Sequence, residues 1–244
     1  MTNSKKTNSL KSLSAIGFSD IIGTGIAAFF WFYLATLLDV ETYGELHYFI
    51  AIAGFAYIIS MIGTRDVITV YVSKKINVTS VLFLLSLGGG AVAAIVVFGI
   101  FHRIDAAFLV LAFIINDLAI GYILGQKLFN SYAKYILTQK TLTLVLGLSF
   151  YYIFGVEGII FALALSYIHF VIFIFRGSRE SKIDFSLLPP RSRFIITNYS
   201  LNLFGSFRNH LDKIIIAPIL GLTLLGNYAL ALQFWAVLII LTNI

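Results

Sequence analysis

Residues 81–101 are VLFLLSLGGGAVAAIVVFGIF, a run of 21 residues without a charged side chain. About 20 mostly apolar residues are enough for a helix to cross the hydrocarbon core of a membrane. Lipid offers no partner for backbone N–H and C=O groups, so a spanning segment must be a helix or a strand of a closed barrel. The length and continuity of this run favour a transmembrane helix.

The composition extends this interpretation to the whole chain. It has 244 residues, of which 59% are hydrophobic and 11% are charged, and its mean hydropathy is +0.95. Soluble domains carry about a quarter charged residues, so a water-soluble globule is excluded. The sequence predicts an all-α, polytopic integral membrane protein with about eight transmembrane helices. Their predicted ranges are Phe18–Leu38, Leu46–Ile62, Val81–Phe101, Ala106–Phe129, Leu142–Phe154, Ile159–Phe175, Phe194–Ile219 and a last span from Tyr228 onward.

Several kinds of chemistry are not expected from this sequence. The chain contains no cysteine, which excludes disulfides and thiolate nucleophiles. Its histidines are scattered without metal-ligand spacing, and it has no phosphate-binding loop or nucleophile-elbow motif. The sequence therefore predicts no enzyme, no metal site and no cofactor, leaving a coupling proton or sodium ion as the only small ligand to consider.

Lysine and arginine alternate from loop to loop. Of the 17 basic residues, 14 fall in the N-terminal tail and in every second predicted loop after it, whereas the opposite loops hold only Arg103. Those opposite loops carry acidic residues such as Asp39, Asp105 and Glu157. Cytoplasmic loops of membrane proteins hold the basic excess. We therefore expect a multi-pass protein of the cytoplasmic membrane with a cytoplasmic N-terminus, and a net charge of +6 that reflects topology rather than nucleic-acid binding.

A weak internal repeat divides the chain. LATLLDVETYGELHYF (34–49) aligns with IAPILGLTLLGNYALA (216–231) at an offset of 182 residues, which pairs Gly44 with Gly226 and Leu38 with Leu220. Both segments join a first span to a second, and repeats in one orientation imply a pseudo-twofold axis along the membrane normal. Coincidence between two apolar hairpins is the alternative. The predicted domains are a six-helix lobe (1–175), a cytoplasmic linker (176–193) and the first two helices of a second lobe (194–244).

Two stretches carry a resemblance to a known family. Residues 34–75, with Tyr43 and Gly44 at the turn, Gly63 at the end of the second helix and Arg65 before the lysines, resemble the N-terminus of polysaccharide-export flippases. Residues 210–234 (HLDKIIIAPILGLTLLGNYALALQF) are similar to that family's seventh and eighth helices. These flippases translocate lipid-linked oligosaccharides and belong to the multidrug/oligosaccharidyl-lipid/polysaccharide exporter superfamily.

The resemblance implies a transporter that moves a lipid-linked oligosaccharide by alternating access between two lobes. Its partners would be that substrate and the membrane lipid, with no nucleic acid. Family members have two complete lobes, so this chain is expected either to be a fragment or to receive its missing helices from a second lobe or an oligomer partner. Transport by these residues alone is not expected.

The seventh predicted span is the richest in polar residues. At 100° per residue its polar side chains fall within a narrow arc, which predicts a helix that lines a wet cavity. Amides would bind sugar hydroxyls, and Arg208 or Lys213 would meet phosphate. Alternatively, Arg208 and Asp212 pair at i and i+4, and Lys213 snorkels to the interface. The predicted cavity residues are Asn198, Asn202, Arg208, Asn209 and Lys213.

Four further residues are candidates for ion coupling. Asp117 interrupts the fourth span near its middle, where a carboxylate must face protein or water; it either binds a coupling ion or pairs with Arg208. Asp20 lies near the start of the first span, at a position like the coupling aspartate of the superfamily's drug exporters, or simply at the interface. Asp212 and His210 lie beside the polar arc, and a histidine can titrate near neutrality.

Other functions stay open at this stage. A cation-coupled multidrug exporter of the same superfamily is the nearest alternative. A membrane-embedded glycosyltransferase or polymerase would also handle lipid-linked sugars, although large polar outer loops with paired carboxylates are expected there. A structural subunit without transport activity is a third alternative.

Overall fold

Ten α-helices make up most of the chain. The computed structural model describes the backbone of residues 2–242 and the side chains of residues 14–205 and 209–239. Within these limits every regular element is helical. The helices are α1 (Thr2–Leu37), α2 (Val40–Ser60), α3 (Arg65–Ser73), α4 (Thr79–Phe101), α5 (Ile104–Gly125), α6 (Phe129–Phe154), α7 (Glu157–Ser166), α8 (Val171–Glu180), α9 (Ser192–Leu220) and α10 (Leu222–Thr242), with short 3₁₀ turns at Ile168–Phe170, Phe185–Leu187 and Pro189–Arg191.

Helix boundaries follow local capping chemistry. Asp39 precedes α2, and its carboxylate accepts hydrogen bonds from the Thr42 backbone N–H at 2.9 Å and the Thr42 hydroxyl at 2.7 Å. These bonds satisfy an otherwise free helix donor and lower the pKa of Asp39. Gly155 (φ 71°) and Gly221 (φ 88°) end α6 and α9 in backbone conformations that favour glycine.

Loops gather at two ends of the helix bundle. At one end Arg103 Nη1 lies 3.2 Å from Glu45 Oε1, which links the α4–α5 connection to α2. At the other end the Ser80 hydroxyl lies 2.8 Å from the Ser181 hydroxyl, which links α4 to the end of α8. We call these the acidic end and the basic end. The acidic end holds Asp39, Glu41, Glu45, Asp105 and Glu157, and the basic end holds Lys74, Lys75, Lys127 and Arg179.

Helix α5 forms the centre of the first lobe and contacts α2, α3, α4, α6, α7 and α8. Gly121 and Gly125 let α3 approach it closely. A Cβ on Gly121 would lie 2.8 Å from the Arg65 carbonyl oxygen, and one on Gly125 would lie 2.6 Å from Val72 Cβ. The small-xxx-small spacing therefore serves helix packing, as the sequence predicts.

Helices α3 and α5 also end in the same way. In each, the residue after the C-cap is a lysine with a left-handed backbone, Lys75 at φ 56° and Lys127 at φ 59°. The Lys75 N–H donates to the Val72 carbonyl at 3.0 Å, and the Lys127 N–H donates to the Leu124 carbonyl at 2.9 Å. The two helix ends are thus matching turns at the basic end.

Several described helices are suited to a membrane. Six are long and apolar enough to cross one, and α2 and α3 form a seventh candidate if they are counted as one span bent by 45°. The predicted class, an all-α polytopic membrane protein, is therefore confirmed. The six are Ser14–Leu37, Thr79–Phe101, Ile104–Gly125, Phe129–Phe154, Val156–Glu180 and Leu222–Ile239.

Three predicted boundaries need correction. The second predicted span stops at Ile62, yet the chain bends and continues as α3, which brings Arg65 into the helix bundle. The fifth span begins at Phe129 instead of Leu142, because polar residues on one face of α6 pack inside the lobe. The sixth span is interrupted by the 3₁₀ turn between α7 and α8. The predicted linker, 176–193, contains the last turn of α8 and two short 3₁₀ turns.

The two repeated hairpins pack against each other at the acidic end. Helix α10 begins 182 residues after α2, the offset of the sequence repeat. A Cβ on Gly44 would lie 2.0 Å from the Leu222 carbonyl oxygen, and one on Gly226 would lie 2.1 Å from the Val40 carbonyl oxygen. Because Leu222 is the repeat equivalent of Val40, the contact is reciprocal, as it is across a twofold axis.

Candidate functional site

A charged cavity of about 350 Å³ lies inside the first lobe. Arg65 faces it from the start of α3 and pairs with Asp117 on α5. Arg65 Nε donates to Asp117 Oδ1 at 2.9 Å, and Nη2 donates to the same oxygen. Asp117 is buried. The Arg65 side chain is 42% exposed, so the buried partner is the carboxylate, which removal of Arg65 would leave uncompensated.

The opposite wall of this cavity carries a second pair of charged groups. Asp20 on α1 accepts a hydrogen bond at 3.0 Å from the Tyr132 hydroxyl on α6. Lys140, two turns further along α6, also lines the cavity, and its side chain packs against Gly23. The cavity thus has Arg65, Lys140 and the exposed Asp20 on its walls, with Asp117 bound to Arg65 beside it.

A buried polar seam continues from this cavity toward the interrupted span. Gln139, which lines the cavity, donates to the Thr143 hydroxyl at 2.9 Å and to the Ser166 hydroxyl at 3.2 Å. Ser166 is the last residue of α7, next to the 3₁₀ turn. Irregular backbone within a membrane span is tolerated where neighbouring protein groups satisfy it, and the Ser166 hydroxyl donates to the Leu163 carbonyl at 2.7 Å.

Sequence reasoning missed the cations of this cavity. Arg65 and Lys140 were expected in basic loops, but the bend at the start of α3 and the early start of α6 place both inside the lobe. Asp117 is a predicted coupling residue with Arg208 as its alternative partner; the structure shows that it pairs with Arg65, and a contact with Arg208 lies outside the described side chains. The sequence did contain one indication of this position. Arg65 follows Gly63 by two residues and precedes the apolar residues of α3.

The amides at the start of α9 bond to their own helix. Asn198 donates to the Phe194 carbonyl at 2.9 Å, and Asn202 donates to the Asn198 carbonyl at 3.1 Å. These bonds use one donor of each side-chain amide, and the amide oxygens keep their acceptor capacity. The two asparagines lie one turn apart, as the helical arc predicts.

The end of α9 carries a second polar cluster. The Lys213 ammonium donates to the Asn209 carbonyl at 2.8 Å and lies 3.4 Å from Asp212 Oδ1. The Tyr228 hydroxyl on α10 donates to Asp212 Oδ2 at 2.6 Å. Asp212 therefore joins α9 to α10. The Arg208 side chain lies outside the described residues, and so does its proposed pairing with Asp212.

His210 packs against α2 instead of facing an open cavity. Its ring fills the space above Gly54, where a Cβ would lie 2.3 Å from His210 Cε1. Nearby, Tyr43 and His47 are buried, and their Oη and Nε2 atoms have no hydrogen-bond partner. Trp31 on α1 packs against His47 with ring centroids 4.7 Å apart. Sequence reasoning did not single out His47.

The structure thus sorts the predicted site residues into two groups. Asp20 and Asp117 belong to the cavity of the first lobe, together with Arg65 and Lys140. The second group lies on α9 and comprises Asn198, Asn202, Asn209, His210, Asp212 and Lys213. Charged groups within spans are expensive and mark functional sites by default. Asp117 meets that criterion, because it lies within the candidate span Ile104–Gly125.

Comparison with protein-family models, with curated proteins and with solved structures finds no match. The fold and composition define the class, which is a polytopic α-helical membrane protein. Among the described residues, no group of three or more histidine, aspartate or glutamate side chains is arranged to hold a metal ion.

Proposed function

We propose that the protein works as a two-lobed transporter that moves a lipid-linked oligosaccharide across the membrane by alternating access. The observation that carries this proposal is the reciprocal packing of Gly44 and Gly226. Transporters are often built from repeats related by an axis along the membrane normal, with the substrate site at the repeat interface. Such an architecture requires a contact surface between the two repeats. We call the contact between the α1–α2 and α9–α10 hairpins at Gly44 and Gly226 the seam.

The exposed face of α10 supports a second lobe. Phe234 and Trp235 are 57% and 61% exposed, whereas their repeat equivalents Ile52 and Ala53 are 6% and 0% exposed. In the first lobe α2 is covered by α4 and α5. We infer that helices equivalent to α4 and α5 cover Phe234 and Trp235, supplied by a second lobe or by an oligomer partner.

The polar side chains of α9 support the choice of substrate. Amide oxygens of Asn198 and Asn202 can accept hydrogen bonds from sugar hydroxyls, and a cation such as Arg208 can meet a phosphate. The resemblance of residues 34–75 and 210–234 to polysaccharide-export flippases favours the same substrate. Asp20 or Asp117 would take the coupling proton or sodium ion.

Membrane orientation is the second part of the proposal. We infer that α9 also crosses the membrane, since 29 residues extend about 43 Å, more than the hydrocarbon core of about 30 Å. The basic end would face the cytoplasm. Because the chain has no cysteine, single cysteines at Glu41 and Glu157 should react with an impermeant thiol reagent from outside intact cells, and those at Lys75 and Lys182 should not. The reverse pattern would reject this orientation.

The test of function uses the organism that produces the protein. Deletion of its gene should abolish surface glycan while lipid-linked oligosaccharide accumulates inside the cell. The wild-type gene and a Gly88→Leu control should restore the glycan, because Gly88 has no neighbour within 4 Å of its Cβ position. Gly44→Leu should not restore it. Unchanged surface glycan in the deletion strain would reject the proposed substrate.

A cation-coupled drug exporter is the second candidate, and the cavity of the first lobe favours it. Asp20 and the Arg65–Asp117 pair offer carboxylates to a proton or sodium ion inside the lobe. In that case the deletion strain should keep its glycan and become sensitive to cationic dyes. Asp20→Asn should then abolish dye export, whereas the exposed Asp184→Asn should not.

A further inference from the structure

Two adjoining pockets open between α5 and α7 on the first lobe. The first, of about 490 Å³, lies at the acidic end and is lined by His102, Arg103, Asp105 and Glu157 together with phenylalanines. The second, of about 400 Å³, is lined almost entirely by apolar side chains of α5, α7 and α8. Phe161 lines both pockets, so a charged pocket and an apolar pocket, here called the groove, adjoin at this residue.

The order of the two pockets is the same along both helices. On α5, Ile104 and Asp105 line the charged pocket, and residues between Phe108 and Ile115 line the groove. On the facing wall, formed by α7 and the start of α8, the groove extends from Phe161 to Val171. This distance is about 15 Å at the rise of a helix. One leaflet of the hydrocarbon core is also about 15 Å deep. The groove therefore has the length and depth of an acyl chain whose headgroup lies at the acidic end.

The interruption of the sixth span creates part of this groove. Tyr167 and Ile168 belong to the break between α7 and α8 and line the groove, and Ile168 is 61% exposed. On the opposite wall Phe108 is 49% exposed, with its ring centroid 5.7 Å from that of Phe161. Exposed apolar side chains at this depth face hydrocarbon, so a lipid tail can enter from the side.

Arg103 is held in place at the charged end. Nε and Nη2 donate to the Asp105 carboxylate at 3.1 and 2.8 Å, and Nη1 donates to Glu45 at 3.2 Å. The guanidinium also lies 4.4 Å from the centre of the Phe49 ring. The hydrogen bond to Asp105 raises the pKa of Arg103. Each Nη atom carries a second hydrogen, and these hydrogens can bind a phosphate oxygen.

The surrounding charges select among headgroups. Glu157, in the first turn of α7, lines the same pocket and is exposed, while Asp105 and Glu45 carry two negative charges against the single positive charge of Arg103. A headgroup with only negative charge would meet an uncompensated carboxylate. A headgroup that carries a phosphate and an ammonium together satisfies both Arg103 and Glu157.

We propose that this site binds a membrane phospholipid with a zwitterionic, primary-amine headgroup, with the phosphate on Arg103, the ammonium on Glu157 and one acyl chain in the groove. The lipid fills the gap left by the helix interruption and ties α5 to α7. It is distinct from the transported substrate, whose anionic phosphates the carboxylates at this pocket disfavour.

The test is lipid retention by the purified full chain, measured by native mass spectrometry. The protein is offered phosphatidylethanolamine, phosphatidylcholine and phosphatidylglycerol with identical acyl chains. Retention should fall in that order, because the quaternary ammonium of choline has no N–H to donate to Glu157 and glycerol has no cation. Equal retention of phosphatidylethanolamine and phosphatidylglycerol would overturn the proposal.

Two variants with matched controls locate the lipid. Ala164→Trp fills the groove and should weaken retention of phosphatidylethanolamine roughly tenfold, equivalent to the loss of about two buried methylene groups. Ala91→Trp on the exposed face of α4 is the control and should leave retention unchanged. Glu157→Gln should weaken retention about two- to fivefold, whereas Glu41→Gln, also in the first turn of a helix at the acidic end, should not.

Thermal unfolding of each variant without added lipid shows whether the fold is intact. A folded Ala164→Trp protein that retains phosphatidylethanolamine as the wild type does would exclude the groove. A folded Glu157→Gln protein that still prefers phosphatidylethanolamine over phosphatidylglycerol would exclude the assigned ammonium site.

Discussion

The hairpins α1–α2 and α9–α10 are equivalent in the sequence repeat and differ in the chemistry that holds each one together. In the first hairpin, Trp31 packs against Tyr43 and His47, with ring centroids 6.4 and 4.7 Å away. The repeat equivalent of Trp31 is Lys213, which belongs to a network of charged and hydrogen-bonded groups. The same helix position is aromatic in one hairpin and cationic in the other.

The neighbouring position shows the same divergence. Phe30 is fully buried and packs on Gly147 of α6, whose Cβ would lie 2.5 Å from the Phe30 ring. Its repeat equivalent is Asp212, which accepts the Tyr228 hydroxyl. Backbone-to-backbone contact at Gly44 and Gly226 is the feature that both hairpins keep. The seam between the hairpins therefore depends on main-chain geometry, while side chains along each hairpin are free to take different roles.

The largest effect is expected at the seam. Gly44→Ala and Gly226→Ala each place a methyl group against a carbonyl oxygen of the other helix, and each should lower the free energy of unfolding by about 3 kcal/mol. In detergent this corresponds to roughly 6–12 °C in Tm. Gly88→Ala, which meets no neighbour, should raise stability because alanine favours helix. A large difference between the Gly44 and Gly226 variants would break the twofold relation.

A smaller effect is expected from the polar link of the second hairpin. Tyr228→Phe removes a hydrogen bond to the Asp212 carboxylate and should cost about 2 kcal/mol, since bonds to charged groups contribute more than neutral ones. Tyr199→Phe, which loses only a bond to the Ile59 carbonyl, should cost about 1 kcal/mol. Unfolding in detergent compares the two. Equal losses would show that the charge on Asp212 adds nothing to the link.

The smallest effect is expected from the aromatic link of the first hairpin. Trp31→Phe shortens the ring beside His47 and should cost about 1 kcal/mol, the scale of one aromatic contact. Phe18→Leu, at a position that is 66% exposed, is the control and should leave Tm unchanged. If Trp31→Phe lowers the free energy of unfolding more than Tyr228→Phe does, the expected order of the two effects is wrong. The aromatic link would then contribute more to stability than the polar link.

The sequence was sufficient for the class of fold because the apolar runs have only one way to lie in a membrane. The segment 81–101 contains no charged residue, and α4 begins within two residues of the predicted start. The repeat alignment was also informative, since the glycines that it paired are in contact across the seam. Composition and spacing fix these features without knowledge of packing.

The charged cavity was less predictable. Arg65 and Lys140 are basic residues close to span ends, and in the sequence such residues are indistinguishable from loop residues. The bend between α2 and α3 and the ion pair with Asp117 of α5 turn Arg65 inward, and the early start of α6 does the same for Lys140. Pairing between residues 52 positions apart is a tertiary property, so the sequence could nominate Asp117 without naming its partner. The roles of the α9 residues remain predictions.

The matching turns at the ends of α3 and α5 have a consequence for how the chain enters the membrane. Lys75 and Lys127 occupy left-handed backbone conformations that cost a residue with a side chain about 1 kcal/mol and cost glycine little. Glycine at either position would fold more easily, but it would remove a positive charge from the basic end. In the proposed orientation, with the basic end in the cytoplasm, these charges would oppose translocation of the turns that carry them during synthesis. The two lysines would then trade a little final stability for the direction in which the helices are inserted.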